Sequence, residues 1–264
     1  MPKVSVVVTT YNREGFLKET ILGILNQTFQ DFELIVVDNF SNFDFFDFIK
    51  NLNSDKIRAY QNQNNGVIAV NRNVGIEKAT GDYIAFCDDD DVWMPTKLEK
   101  QINYVNNNNL HNKQVVLYTN SIEFFETKEQ VTNKRKINGL NDFLKSNQVS
   151  LSTSFVSNNF GKQRFNETPE YFAVEDYIFW MELYVSGFSF HLNKEKLIRY
   201  RVLKSSSSAI QYSISHLRKI FALIHIRVKH KDLKINNVKF CYTIVLNIVK
   251  FGVKAFLQKF KHKF

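Results

Sequence analysis

Four consecutive carboxylates, Asp88 to Asp91, follow directly on a short apolar run, Tyr83-Ile-Ala-Phe-Cys87. A run of that length reads as a buried strand, so the carboxylates mark where the strand ends. In open α/β sheets, ligands bind outside the carboxyl ends of strands. Four adjacent carboxylates repel and raise one another's proton affinity. A divalent cation relieves that repulsion, and an all-oxygen donor set suits Mg2+ or Mn2+, which commonly bring phosphate with them. The alternative is a solvated acidic turn. The preceding strand and the following Trp93-Met94-Pro95 favour a site.

The rest of the chain fits an α/β alternation. Lys3 to Thr10 reads as a strand, Glu14 to Gln27 as a helix and Phe32 to Val37 as a second strand ending at Asp38-Asn39. Phe43 to Leu52 reads as a helix, Lys56 to Tyr60 as a strand, and Gly66 to Ala79 as a helix that Gly81 stops. After the acidic run, Pro95 to Asn106 is predicted helical. This alternation predicts a mostly parallel, doubly wound sheet. Further strands are expected at residues 114–120, 151–156, 188–192 and 197–201, with a helix over 175–186 and a loop at 205–208. Residues 121–150 are less regular.

Charge divides the chain. Residues 1–213 hold 23 Lys+Arg against 25 Asp+Glu, while residues 214–264 hold 12 basic residues and one acid, Asp232. The expected organisation is a near-neutral domain over 1–213 and a basic amphipathic helical tail over 214–264. The tail suits an anionic membrane surface, or packs on the domain with a solvated basic face. A nucleic-acid partner would need only charge, but no finger, helix-turn-helix or RNA-binding signature accompanies it, so no specific nucleic acid is expected. Two cysteines, Cys87 and Cys241, make no disulfide framework and point to a reducing compartment. The N-terminus has no signal-peptide layout, and no stretch of about 18 apolar residues suggests a spanning helix.

Two further acidic elements sit at turns: Asp38 after the second strand, and Glu175-Asp176 at the start of a helix. Each alone could be a turn residue or a helix-start acid favoured by the dipole. Taken in order, the segments Val4 to Asn12, Gln27 to Asn39, Asn71-Arg-Asn-Val-Gly75, Gly81 to Glu99, Glu175-Asp-Tyr-Ile-Phe-Trp180 and Tyr200-Arg201 resemble the family 2 glycosyltransferases. These are inverting enzymes of the GT-A nucleotide-diphospho-sugar transferase fold. The resemblance runs from Val4 to about Ser208.

The resemblance implies a GT-A catalytic domain over 1–213, with a nucleotide-binding half at 1–100 and an acceptor half at 101–213, and it implies roles position by position. Thr9, Tyr11 and Asp38 would line the base pocket, with Asn39 standing where many members have a second Asp. Arg72 would approach the nucleotide or its diphosphate. Asp88 and Asp89 would reach the ribose or metal waters, Asp90 would ligate Mn2+ or Mg2+, and Asp176 would be the catalytic base. Many members carry a His just after the Tyr-Arg pair. Leu203 stands there, which leaves Arg201 or Lys204 to hold the diphosphate. The implied donor is a nucleotide-diphosphate sugar, UDP-linked, and the acceptor a glycan or lipid-linked glycan. The implied setting is bacterial surface polysaccharide, such as lipopolysaccharide O-antigen, built by a cytoplasmic enzyme peripheral to the inner membrane face. Two other readings are an inactive sugar-nucleotide binder and a sugar nucleotidyltransferase. The second would want a Gly-rich phosphate loop where Thr9-Thr10-Tyr11-Asn12 stands.

Overall fold

The computed structural model describes residues 2–125, 128–203, 212–232 and 236–261. Nine strands form one sheet in the order β3-β2-β1-β4-β8-β6-β9-β5, with β7 paired to β6. The strands are β1 (Val4–Thr10), β2 (Phe32–Asp38), β3 (Ile57–Gln61), β4 (Tyr83–Asp88), β5 (Val92–Trp93), β6 (Val115–Phe125), β7 (Lys128–Thr132), β8 (Phe155–Ser157) and β9 (Ser189–Arg201). The helices are α1 (Glu14–Leu25), α2 (Phe45–Asn51), α3 (Ile68–Lys78), α4 (Lys97–Asn107), α5 (Leu140–Lys145) and α6 (Glu175–Val185). Two tail helices follow, Tyr212–Lys229 and Asn237–Lys261.

β1, β2, β3 and β4 are mutually parallel, and β6 pairs β9 in parallel along most of its length. Short antiparallel contacts of β8 join the two parallel blocks. The period of two along β1 sends Val4, Val6 and Val8 to one face and Val7 to the other. On the first face α1 and α4 bury Leu17, Ile21, Ile24, Leu98, Ile102 and Val105. On the second, Val7, Ile35, Ile84 and Phe86 meet α3, α5 and α6. Both faces are covered, which is why these strands are continuous apolar runs.

Gly81 has a different task from the predicted one. α3 ends at Lys78, and Gly81 stands at the entry to β4. A Cβ there would lie 2.7 Å from the Ser5 amide nitrogen and 2.8 Å from the Val4 carbonyl carbon, so glycine permits β1 and the β4 entry to touch.

Three other expectations are revised. Residues 151–153 form a 3-10 turn and only Phe155–Ser157 is strand. The two strands expected at 188–192 and 197–201 are one strand, β9, whose register against β6 shifts around Asn120. That bulge interrupts the side-chain alternation, and sequence pattern then reads as two pieces. The irregular stretch 121–150 contains the β6–β7 hairpin and α5. The loop expected at 205–208 lies outside the described residues.

The tail packs on the domain. Ile220, Ala222, Leu223 and Ile226 are buried in the core beside α6. The buried Glu182 of α6 accepts from Lys229 Nζ at 2.9 Å and lies 3.0 Å from His230 Nε2. On the outward side Phe221, Ile224, Val228, Val238, Val245, Ile248 and Val249 stay exposed. No described helix is long and apolar enough to cross a membrane.

Candidate active site

The register of the parallel block sets the site. Thr9 pairs with Asp88 and Thr10 with Asp38, so the ends of β1, β2 and β4 lie side by side. The loops leaving β1 and β2 turn sharply, with Asn12 at φ 54° and Phe40 at φ 56°. A positive φ at a Phe is a strained conformation of the kind that collects at ligand sites. The two loops are tied together: Asn12 Oδ1 accepts from the Asn42 amide at 2.7 Å, and the Asn12 amide donates to Ser41 Oγ at 2.8 Å.

Between these loops and the one before α3 lies an open cleft of about 390 Å3, lined by Tyr11, Asn39, Phe40, Gln63, Asn65 and Gly66. Tyr11 is 54% exposed, so its ring face is available for stacking. Of the residues expected around a base, Tyr11 and Asn39 line this cleft. Thr9 and Asp38 are buried beside it. The Asp38 carboxylate accepts from Ser41 Oγ at 2.5 Å, the Ser41 amide at 2.9 Å and Gln61 Nε2 at 3.0 Å. Asn39 Oδ1 accepts from the Asn64 amide at 2.8 Å.

The four carboxylates at the end of β4 have different sets of partners, although Asp89 and Asp90 share Arg13. Asp89 is buried and accepts from Thr10 Oγ1 at 2.8 Å and Arg13 at 3.0 Å. Arg13 also donates to Asp90 at 2.8 Å. Asp91 is fully buried, with one oxygen accepting from the Arg201 amide and the other without a hydrogen bond. Asp88 is partly exposed and holds Arg72 at 3.0 Å. Burial, with Asp88 and Asp89 close by, pushes the Asp90 carboxyl up to about 7. Burial and its acidic neighbours also raise Asp91. Thr20 Oγ1 donates to the carbonyls of Asp89 and Asp91, fixing the turn against α1. Among the described residues no group of three or more His, Cys, Asp or Glu is arranged to hold a metal.

Arg72 joins the two halves of the molecule. It is buried on α3 and reaches Asp88 with Nη2 and Glu175 Oε1 with Nη1 at 2.5 Å. Its guanidinium lies 5.5 Å from the Phe165 ring centre. The carboxylates raise its pKa further against the effect of burial. The diphosphate contact expected of Arg72 is therefore set beside a structural bridge that already uses both terminal nitrogens.

Glu175 and Asp176 open α6, where the helix dipole favours acids. Ala173, at φ 65°, turns the chain into that helix. Glu175 faces Arg72. Asp176 accepts from Asn147 Nδ2 at 2.9 Å and from the Tyr177 amide at 2.7 Å. Burial first, then Glu175, push its carboxyl up to about 7, with Arg72 pulling the other way. Burial first, then Asp91, Asp88, Asp90 and Asp176, push the Tyr200 phenol well above its ordinary range.

Arg201 is committed elsewhere. Its Nε donates to the Asp90 carbonyl at 2.8 Å, its Nη2 pairs with Glu19, and the group stacks on Phe16 and Phe124. Lys204 lies outside the described residues. Sequence reasoning passed over Arg13, Asn147 and Tyr200. Arg13 had a usable signal, because it follows the end of β1 at the edge where the acidic run emerges.

Comparison with known proteins bears on these arrangements. Residues 5–166 match the sequence profile of Glycosyl transferase family 2. An uncharacterized glycosyltransferase of Haemophilus influenzae is 37% identical over 162 residues, which are 59% of this chain and 62% of that protein. The chain thus spans under two thirds of that relative. A Campylobacter jejuni relative, GalNAc(5)-diNAcBac-PP-undecaprenol beta-1,3-glucosyltransferase, is 29% identical over 90% of this chain and 78% of its own length. The crystal structure of S. aureus TarS 1-349 in complex with UDP-GlcNAc superposes with a TM-score of 0.71 at 16% identity, covering 94% of this chain and 72% of that one. Mannosyltransferase PcManGT from Pyrobaculum calidifontis, in complex with GDP-Man and Mn2+, gives 0.64 at 15% identity, covering 96% and 73%. At these identities the structures share the fold, which is the one expected from the sequence.

Removing one partner of a buried ion pair strands the other charge and typically costs about 3–5 kcal/mol. Arg72→Met should lower unfolding stability by about that amount in urea denaturation, and adding Glu175→Gln should recover part of it. An unchanged midpoint for Arg72→Met would contradict the bridge.

Proposed function

The chain belongs to Glycosyl transferase family 2, and from that premise we propose that it moves a sugar from a UDP-linked donor to a hydroxyl of a glycan or lipid-linked glycan, with inversion at the anomeric carbon. The observation that carries the reading is the side-by-side ending of β1, β2 and β4 near the Tyr11–Asn39 cleft, with Arg72 bridging Asp88 to Glu175 beside Asp176. Arg72 ties Asp88 to Glu175, the neighbour of Asp176, so donor end and base are held in one frame. The nucleotide base stacks on Tyr11, and Asn39 borders the same cleft. UDP-GlcNAc in TarS and the undecaprenol-linked substrate named for the Campylobacter relative support the donor and acceptor classes. Bacterial surface polysaccharide, including lipopolysaccharide O-antigen, is the product class in keeping with them.

Asp90, paired with Arg13, would ligate a divalent cation, and Asp88, paired with Arg72, would reach the ribose or the metal's waters. Magnesium and manganese sites commonly use one or two carboxylates and complete themselves with substrate phosphates. Asp90 is a desolvated carboxylate crowded by like charges, which favours a cation over the proton it otherwise takes. The Mn2+ in PcManGT supports this choice. When bound, the ion supplies charge neutralisation for the departing nucleoside diphosphate. Arg13 supplies part of that positive charge at Asp89 and Asp90. Thr10 and Thr20 keep the acidic turn in place.

Asp176 takes the proton of the acceptor hydroxyl as the new bond forms. A base needs its charged form. Because burial and Glu175 raise this carboxyl to about 7, the charged form is lost as the pH falls through neutrality rather than through 4. Asn147 orients one carboxylate oxygen. The direct displacement needs no covalent nucleophile.

The outward apolar residues of the tail helices, with the basic side chains around them, suit docking on the anionic inner face of the cell membrane. The division into a 1–213 catalytic domain and a 214–264 tail is retained with that role. The tail then both packs on α6 and meets lipid.

Three outcomes test this reading. Chelator should abolish transfer, manganese or magnesium should restore it, and Asp90→Ala should lose most activity while keeping the native circular dichroism spectrum. Full turnover in chelator would remove the metal. Asp176→Asn should cut kcat by about 10²–10⁴-fold with donor affinity nearly intact, and the wild-type rate should decline below about pH 7. A flat wild-type profile down to pH 5 would place the base elsewhere. The protein should sediment with anionic liposomes at low salt, and Val245→Asp with Val249→Asp should release it. Sedimentation unaffected by that exposed pair would rule out this face.

A further inference from the structure

Between α5, the start of α6 and the two tail helices lies a cavity of about 720 Å3. Asp176 lines it, so the recess opens on the carboxylate assigned as the base. Five cations share its walls with apolar and neutral polar side chains. Arg135, Lys145, Lys219, Lys239 and Lys250 all border it, and Asp176 is the one carboxylate among the lining residues. Lys219 Nζ donates to the Lys145 carbonyl at 2.9 Å and lies 5.9 Å from the Tyr177 ring centre, next in sequence to the base. Burial and the nearby Lys250 lower the pKa of Lys219 to about 8. Among these cations Lys145 has an ion-pair partner in the described residues, Asp142 at 3.1 Å. Arg135 is met by a hydroxyl, Ser146 Oγ, at 3.1 Å.

Lys219 is partly buried and the other four cations stand exposed around the recess; cations gathered in one place repel one another, and an entering anion relieves that repulsion. Tyr242 and Leu246 of the second tail helix give the same recess an apolar wall. We propose that this cavity is the acceptor subsite, and that it binds an acceptor carrying a phosphate or diphosphate ester on an apolar chain. The inference rests on the transferase reading and adds to it. The cationic wall holds the ester while the acceptor's sugar hydroxyl reaches Asp176. It also gives the tail a part in substrate recognition, because Lys219, Lys239 and Lys250 all come from tail helices.

The test uses the full chain in isothermal titration. Geranyl diphosphate, inorganic pyrophosphate and uncharged decyl maltoside are titrated without metal, and UDP separately with manganese. Geranyl diphosphate should bind most tightly. A double variant, Lys219→Gln with Lys250→Gln, should weaken it by about tenfold or more, as the loss of charge-assisted contacts predicts. UDP binding and the circular dichroism spectrum should not change. Glutamine keeps a donor for the Lys145 carbonyl, and Lys250 is exposed, so folding is preserved. Geranyl diphosphate that fails to bind, or binds the double variant equally well, overturns the proposal even where UDP binds normally. Pyrophosphate or decyl maltoside binding as tightly as geranyl diphosphate also overturns it. Loss of UDP binding in the wild type, with geranyl diphosphate binding still sensitive to the two lysines, would instead defeat the donor reading and leave the anion site standing.

Discussion

A buried arginine holds this molecule's two halves in register. Arg72 comes from α3, in the parallel half, and reaches both Asp88 at the end of β4 and Glu175 at the start of α6. A guanidinium is suited to this, because its planar fork serves two carboxylates at once and stays charged when buried. The arrangement fixes the distance between the carboxyl end of β4 and the helix that carries Asp176. It also explains why adjacent acids have different tasks. Glu175 is consumed by the bridge, and Asp176 is left with a neutral partner, Asn147.

The acidic turn is a second constraint. Four carboxylates in sequence would repel if they shared a direction. The chain divides them among partners: Asp88 to Arg72, Asp89 and Asp90 to one nitrogen of Arg13 with Thr10 also on Asp89, and Asp91 to the Arg201 amide. Arg13 and Arg72 offset part of the charge, yet Asp90 and Asp91 still hold protons more tightly than ordinary carboxylates. The turn therefore retains an appetite for positive charge. That appetite is the physical basis for assigning a cation and a diphosphate to this edge of the sheet.

The parallel half was legible because its signals are local. Continuous β-branched runs mark strands covered on both faces, and the acidic run marks a strand end. β9 was read as two strands because its bulge breaks the alternation. Gly81 was read as a helix stop, when its reason is contact with Ser5, 76 positions away. The same holds for the site. The roles proposed for Tyr11, Asn39, Asp90 and Asp176 were expected from motif order. The engagement of Arg72 and Arg201 depends on partners far along the chain, Glu175 and Glu19. The cavity beside Asp176 was not legible at all. It exists because the tail folds back on α5 and α6, a packing choice the basic amphipathic pattern left open.

The account depends on donor and metal meeting at the ends of β1, β2 and β4, with Asp176 on the acceptor side. Anomalous diffraction from crystals grown with UDP and manganese tests this most directly. The predicted result is a manganese peak bound by Asp90, bridging to the UDP phosphates, with the uracil ring against Tyr11. UDP seated away from the Tyr11–Asn39 cleft, or manganese held without Asp90, would contradict it.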